Sequence, residues 1–281
     1  MCKTCGCGDK KGKNAVHAHF HAHDGEQERS HSREHTHARD HEHSHDSEHD
    51  HEHTHDHNHE HNHEHGGKTV DLGVAVLAEN DRIAMENRML FDKIGATAVN
   101  LISSPGAGKT SLLEKTLDML KDELKLAVLE GDCETDFDAR RIAGRGVQVH
   151  QITTGGVCHL DAHMVAHGLE SLQIEAGTLL FIENVGNLVC PADFLLGEKE
   201  TIALLSVAEG DDKPMKYPAV FDKATALVIT KIDLLPYVDF DVERAVKFAL
   251  TVNPRLKIFR VSAKTGDGMQ AWTNWLKGLI S

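Results

Sequence analysis

The chain has 281 residues, of which 26% are charged and 40% hydrophobic, and its formal charge is −14. No apolar run approaches the roughly 20 residues of a membrane span, the N-terminus lacks the apolar stretch of about 7–15 residues of a secretory signal, and the acidic balance argues against nucleic acid. Six cysteines in such a chain read as metal ligands or free thiols rather than a disulfide framework, so we expect a cytosolic protein that binds neither membrane nor nucleic acid.

Composition divides the chain near Gly66-Gly67. In residues 1–67 the only large apolar side chains are Met1, Val16 and Phe20. Burial there cannot offset the entropy of ordering, so the segment is expected to be disordered without metal. It nevertheless holds Cys2-Lys3-Thr4-Cys5-Gly6-Cys7 and 19 of the 23 histidines, between His17 and His65. Thiolates are soft ligands and neutral imidazoles borderline ones, so this end points to transition metals. Beside the three thiolates, a freed Cys2 amine is a candidate nitrogen donor. In an extended chain alternate side chains share one side about 7 Å apart, which fixes no single geometry, so the histidines are expected to bind several ions loosely. That binding should weaken as pH falls through ~6.5.

Residues 68–95 are expected to form an N-terminal helical segment and 96–281 one α/β domain. Ile83, Leu90, Phe91 and Ile94 fall at helical spacing, which predicts a helix over Ala78–Ile94 closed by Gly95. Strands are predicted at Ala98–Ile102, Leu126–Leu129, Val147–Ile152, Leu179–Ile182, Ile202–Val207, Leu227–Ile229 and Ile258–Val261. Helices are predicted from Thr110 to about Leu124 and at Leu160–Leu169, Val242–Leu250 and Met269–Ile280. This alternation means a mostly parallel sheet covered by helices on both faces, with ligands beyond the carboxyl ends of the strands.

The candidate motifs fall at those ends. Ser103-Ser104-Pro105-Gly106-Ala107-Gly108-Lys109-Thr110-Ser111 lies between a strand and a helix, as a phosphate-binding loop does. Its glycines bring backbone N–H groups to phosphate, Lys109 reaches the β/γ-phosphates and the Thr110 hydroxyl takes Mg²⁺. The full pattern has Gly where this chain has Ser103. Thr230-Lys231-Ile232-Asp233 resembles the guanine-recognition motif Asn-Lys-x-Asp, with Thr230 for the usual Asn. The Asp233 carboxylate accepts from guanine N1–H and the 2-amino group, which adenine cannot offer, so GTP/GDP is favoured over ATP. Ser262-Ala263-Lys264, on the next strand end, resembles a further base-contacting motif. Glu183-Asn184-Val185-Gly186 ends another strand, with Glu183 for Mg²⁺ and the Gly186 N–H for a γ-phosphate. On the loop after the second strand, Asp132 is a candidate for outer-shell Mg²⁺ contact and Asp136 for orienting the attacking water, against the alternative of solvated loop acids.

Cys158-His159 with the distant Cys190 gives three ligands of mixed softness for Zn²⁺ or Ni²⁺. Cys190 sits on the loop that begins at Glu183, so a metal there would sense the γ-phosphate. His163 and His167 lie on one helical face beyond His159 and are either further ligands or an exposed polar face. Cys133 reads as a small loop residue.

Taken together, the Cys-x-x-Cys-Gly-Cys start, the His tract, the phosphate loop, Gly131-Asp132-x-x-Thr135-Asp136-x-Asp138-Ala139, the Cys158-His159 block and Glu183-x-x-Gly186…Cys190-Pro191 resemble the hydrogenase nickel-incorporation GTPases, the HypB family, over essentially the whole chain. The resemblance implies a GTP-hydrolysing metallochaperone that inserts Ni²⁺ into the large-subunit precursor of [NiFe]-hydrogenase with a small zinc-containing accessory protein. It also implies a homodimer linked by nucleotide or metal at Cys158, His159 and Cys190, and a tight nickel site at Cys2, Cys5 and Cys7. Turnover is expected to be slow, because no obvious arginine finger is present. The alternatives are a nickel or zinc storage protein whose nucleotide domain only regulates assembly, and a urease-type nickel GTPase, against which the cysteine motifs argue.

Overall fold

The computed structural model describes residues 66–280. The cysteines of the N-terminal motif and the histidine tract lie outside the described residues. In chain order the elements are α1 (Gly66–Ile94), β1 (Thr97–Ser103), α2 (Lys109–Leu120), β2 (Lys125–Asp132), α3 (Phe137–Ala143), β3 (Gln148–Thr153), α4 (Ala162–Leu169), β4 (Thr178–Glu183), β5 (Glu200–Ser206), α5 (Lys213–Lys216), α6 (Pro218–Lys223), β6 (Ala226–Thr230), α7 (Val242–Val252), β7 (Lys257–Arg260) and α8 (Met269–Lys277), with 3-10 turns at Cys190–Ala192 and Ile232–Tyr237.

The seven strands form one parallel sheet in the order β3-β2-β4-β1-β5-β6-β7. Strands β1, β4 and β6 are buried along their whole length, because helices cover both faces and every side chain finds apolar neighbours. Successive residues serve opposite cores. Val99, Leu101 and Val128 pack with Leu113 and Leu117 of α2 and Trp272 and Leu276 of α8. Ala98, Ala127 and Leu129 face Phe91 of α1 and Val165 of α4. Ile102, Leu205 and Ile229 face Val220 and Phe221 of α6 and Ala245 and Ala249 of α7. Edge strand β3 is only partly buried.

Several boundaries differ from the sequence expectation. Helix α1 begins at Gly66 rather than Ala78 and belongs to the same compact unit as the sheet. It is fastened by buried amides: Asn87 Nδ2 donates to the Ala162 and Leu196 carbonyls at 2.8 and 3.1 Å, and Asn80 bonds the Ala162 N–H and the Leu195 carbonyl. Helix α2 stops at Leu120, and α4 starts at Ala162 because the Asp161 carboxylate caps it, accepting from Met164 N at 2.7 Å. The short helices α3, α5 and α6 carry too few turns to display a period and were not predicted. Among the described residues no helix is long and apolar enough to cross a membrane.

Candidate functional site

Strand β1 delivers the phosphate loop to the N-terminus of α2. Gly106 and Gly108 take φ of +73° and +94°, a region other residues enter only with strain. Position 103 is explained by its contacts: the Lys109 ammonium donates to Ser103 Oγ at 3.1 Å, and Ser103 Oγ donates to the Ser104 carbonyl at 2.7 Å. Burial pulls the Lys109 pKa down, against the attraction of Glu183, Asp138 and Glu130. The loop after β4 lies against this turn, since a Cβ on Gly186 would come within 3.1 Å of Pro105 Cα.

Acids converge on Thr110. Its hydroxyl lies 2.7 Å from Glu183 Oε1 and 3.0 Å from Asp138 Oδ2, and one proton cannot serve both. Glu130 of β2 sits in register with Glu183 of β4, and both side chains are buried. The second carboxylate oxygen of each is buried without a partner. Burial first, and the neighbouring acids with it, push Glu130 up to about 8. Burial likewise pushes Glu183 up to about 7, against Lys109 and the Thr110 hydroxyl. Hard oxygen donors, two of them orphaned, beside a hydroxyl fit Mg²⁺. A cavity of about 410 Å³ opens here, lined by Lys109, Thr110, Glu130, Asp132, Asp138, Arg141, Glu183 and Gly186 among others.

Asp132 reaches this cavity, but its Oδ1 builds the loop by accepting from Glu134 N at 2.9 Å and Thr135 N at 2.7 Å. Against burial, these bonds hold its carboxyl low. Asp136 is not brought to the cavity: it precedes α3 and pairs with Arg140 at 2.7 Å. The acid at Thr110 is Asp138, two residues on, because α3 turns that side inward. Arg141, one turn of α3 further on, also lines the cavity and pairs with Asp138 and Glu114. Asp138, which enters above only within the resembling motif, Arg141 and Glu130 were given no site role by the sequence reading. A seven-residue helix gives little signal for the first two, and Glu130 directly follows the predicted strand Leu126–Leu129 with nothing to set it apart.

A second cavity of about 260 Å³ adjoins the first and shares Gly108, Ser111 and Lys231 with it. Lys231 is the one non-glycine residue with positive φ (+60°) among the described residues, and its ammonium donates to the Gly106 carbonyl at 2.6 Å. Thr230 Oγ1 donates to the Ala107 carbonyl at 2.6 Å, so the hydroxyl ties this strand end to the phosphate loop. Ser262 Oγ donates to Asp233 Oδ1 at 2.6 Å, and Ala263 and Lys264 complete the wall. A cavity lined by Leu112, Leu234, Val261 and Ala263, with the Asp233 carboxylate in its wall, suits a purine that presents donors.

Cys158, His159 and Cys190 meet although 31 residues separate the two cysteine positions. One ligand atom from each lies within 4.8 Å of the others, and the two sulfurs are 3.0 Å apart. The His159 ring stacks on Phe194 at 3.9 Å, and its Nδ1 is buried without a partner. Burial lowers its pKa, which favours the neutral, ligating imidazole, and the Cys158 thiol raises that of Cys190. His163 and His167 do not join this group. They face each other one turn apart on α4, Nε2 to Nε2 at 3.2 Å. Cys133 contacts the Val157 carbonyl at 3.8 Å.

The ligand arms are bonded to the nucleotide loops. Thr154 N donates to the Asp132 carbonyl at 2.9 Å and Gly155 N to the Cys133 carbonyl at 3.2 Å. Leu160 N donates to Asn184 Oδ1 at 3.1 Å.

A family model described as CobW/HypB/UreG, nucleotide-binding domain, matches residues 97–260. The chain is 54% identical to the hydrogenase maturation factor HypB of Azotobacter vinelandii over 202 residues, 72% of this chain and 67% of that protein. The solved HypB of Archaeoglobus fulgidus superposes with a TM-score of 0.68 at 41% identity, over 73% of this chain and 100% of that one. HypB of Helicobacter pylori, solved in complex with nickel, does so with a TM-score of 0.68 at 40% identity, over 72% and 95%. A phosphate loop on a parallel sheet, with these relatives, means that the chain belongs to the CobW/HypB/UreG family and, within it, to the HypB hydrogenase maturation factors.

Proposed function

We propose that this protein is a cytosolic GTP-hydrolysing nickel metallochaperone that binds, stores and delivers Ni(II) for maturation of [NiFe]-hydrogenase. The observation that carries this reading is the attachment of the Cys158, His159 and Cys190 donors to the two loops that leave the nucleotide cavity. A change at the phosphate end then alters the spacing of the metal ligands.

In hydrolysis the backbone N–H groups of 106–111 cradle the phosphates, and Lys109 exchanges Ser103 Oγ for a phosphate oxygen. Thr110, Glu183 and Asp138 would hold Mg²⁺, with Asp132 beside them in the cavity wall. When bound, that ion neutralises charge on the β- and γ-phosphates. Asp136 is engaged by Arg140 and receives no step. Arg141 brings positive charge to the phosphate cavity from within the chain. Lys231 and Asp233 read guanine, with Ser262, Ala263 and Lys264 behind them.

Nickel, or zinc in its place, is cargo at Cys158, His159 and Cys190. Cys2, Cys5 and Cys7 form the tight nickel site, and the histidine tract is a looser reservoir. We further propose a homodimer, transfer with a small zinc-containing accessory protein, and a hydrogenase large-subunit precursor as recipient. Activation of apo-hydrogenase by the nickel-loaded protein tests the reading: it should require GTP. Equal activation with and without nucleotide overturns it.

A further inference from the structure

Glu130 has no part in the motifs that identify this family, yet it is the acid whose placement is hardest to explain by folding alone. It is 2% exposed, has one carboxylate oxygen without any partner, and faces the phosphate cavity. Its strand neighbour in exact register is Glu183, which is 3% exposed and also leaves one oxygen orphaned. Two like charges side by side on adjacent strands repel, and an unpaired buried carboxylate is costly. A leucine or glutamine at position 130 would remove both penalties. Acids kept in such places mark positions where function overrides folding. Within the cavity Lys109 faces Glu130, Asp132, Asp138 and Glu183 together, and Lys231 and Arg141 are the other cations of its wall.

We propose that Glu130 belongs to the divalent-cation site of the nucleotide cavity, its free oxygen and that of Glu183 forming a two-carboxylate wall that holds the cation or its bound water. This rests on the reading of the cavity as an Mg²⁺–nucleotide site. Glu130 raises affinity for the cation and, because it repels phosphate, lowers affinity for nucleotide when the cation is absent. A residue that only supports the strand would move both in the same direction.

The experiment follows release of a fluorescent GDP analogue from the full-length protein at about pH 9, where the Glu130 carboxyl is ionised even without a cation, as Mg²⁺ is titrated, starting from EDTA, for wild type, Glu130→Gln and Glu130→Asp. In EDTA, Glu130→Gln should release the analogue more slowly than wild type. The Mg²⁺ concentration giving half the full slowing should rise about tenfold, equal to ~1.4 kcal/mol. Glu130→Asp keeps the charge but withdraws it, so its shift should lie between the two. An unchanged Mg²⁺ dependence in both variants, or faster release in EDTA as well as in Mg²⁺, overturns the proposal. If Mg²⁺ does not slow release from wild type, it is the reading of the cavity itself that fails.

Discussion

Replacing Glu130 by Gln should stabilise the nucleotide-free protein, and the gain should grow with pH. Glu130 is buried, and burial, reinforced by Glu183, Asp132 and Asp138 and opposed by Lys109, raises its pKa from the ordinary 4.5 to about 8. The folded state therefore holds this proton more tightly than the unfolded state. Stability contributed by the protonated acid is full below pH ~4.5 and is lost as pH rises towards ~8, where the folded group finally ionises. Between 4.5 and pH 7, at ~1.36 kcal/mol per pH unit, the loss reaches about 3 kcal/mol. Glutamine has nearly the same shape and does not titrate, so it escapes this loss. Urea unfolding without Mg²⁺ or nucleotide at pH 5, 6, 7 and 8 checks it. The difference between variant and wild type isolates this group, since all other titrating residues are common to both. It should rise by about 2–3 kcal/mol from pH 5 to pH 7, less if Glu183 shares the proton. A difference that is flat, or that shrinks as pH rises, would refute the claim that an unpaired acid is buried in this cavity.

Asp233→Asn should weaken GDP binding about 10²–10⁴-fold, because an amide meets two guanine donors with a donor of its own, and should favour xanthine diphosphate instead; competition binding with the two nucleotides decides it. Cys158→Ser should remove the thiolate-to-nickel absorption contributed by this site, read as a difference spectrum against wild type, while leaving GDP affinity within about twofold. Gly197→Ala should cost about 3 kcal/mol in urea unfolding. That backbone has φ of +97°, and the added Cβ would lie 2.7 Å from both the Ala84 carbonyl and Asn87 Cβ, where α1 docks. A loss under about 0.5 kcal/mol would mean that α1 does not contribute to the fold's stability.

The linear chain alone determined the character of its parts. Short apolar runs such as Leu179-Leu180-Phe181-Ile182 announce strands buried on both faces, since only a sheet covered by helices leaves no side chain for water. Gly106 to Thr110 and Lys231 to Asp233 are legible because each motif works through local backbone geometry, which neighbouring residues set. Tertiary structure decided what meets what. Strand order sets β2 beside β4, which makes neighbours of Glu130 and Glu183, 53 positions apart, although in the sequence Glu183 reads as an acid at a strand end and Glu130 carries no signal of its own. The turn of α3 chose Asp138 over Asp136, a difference of about 200° around a helix that no linear pattern in seven residues encodes. Cys158 and Cys190 were recognisable as donors, but their 3.0 Å approach depends on α4 and the loop after β4 being tied together through Leu160 and Asn184. Residue chemistry is local and survives in the sequence; the distances that turn it into a site are set by the order and register of strands far apart in the chain.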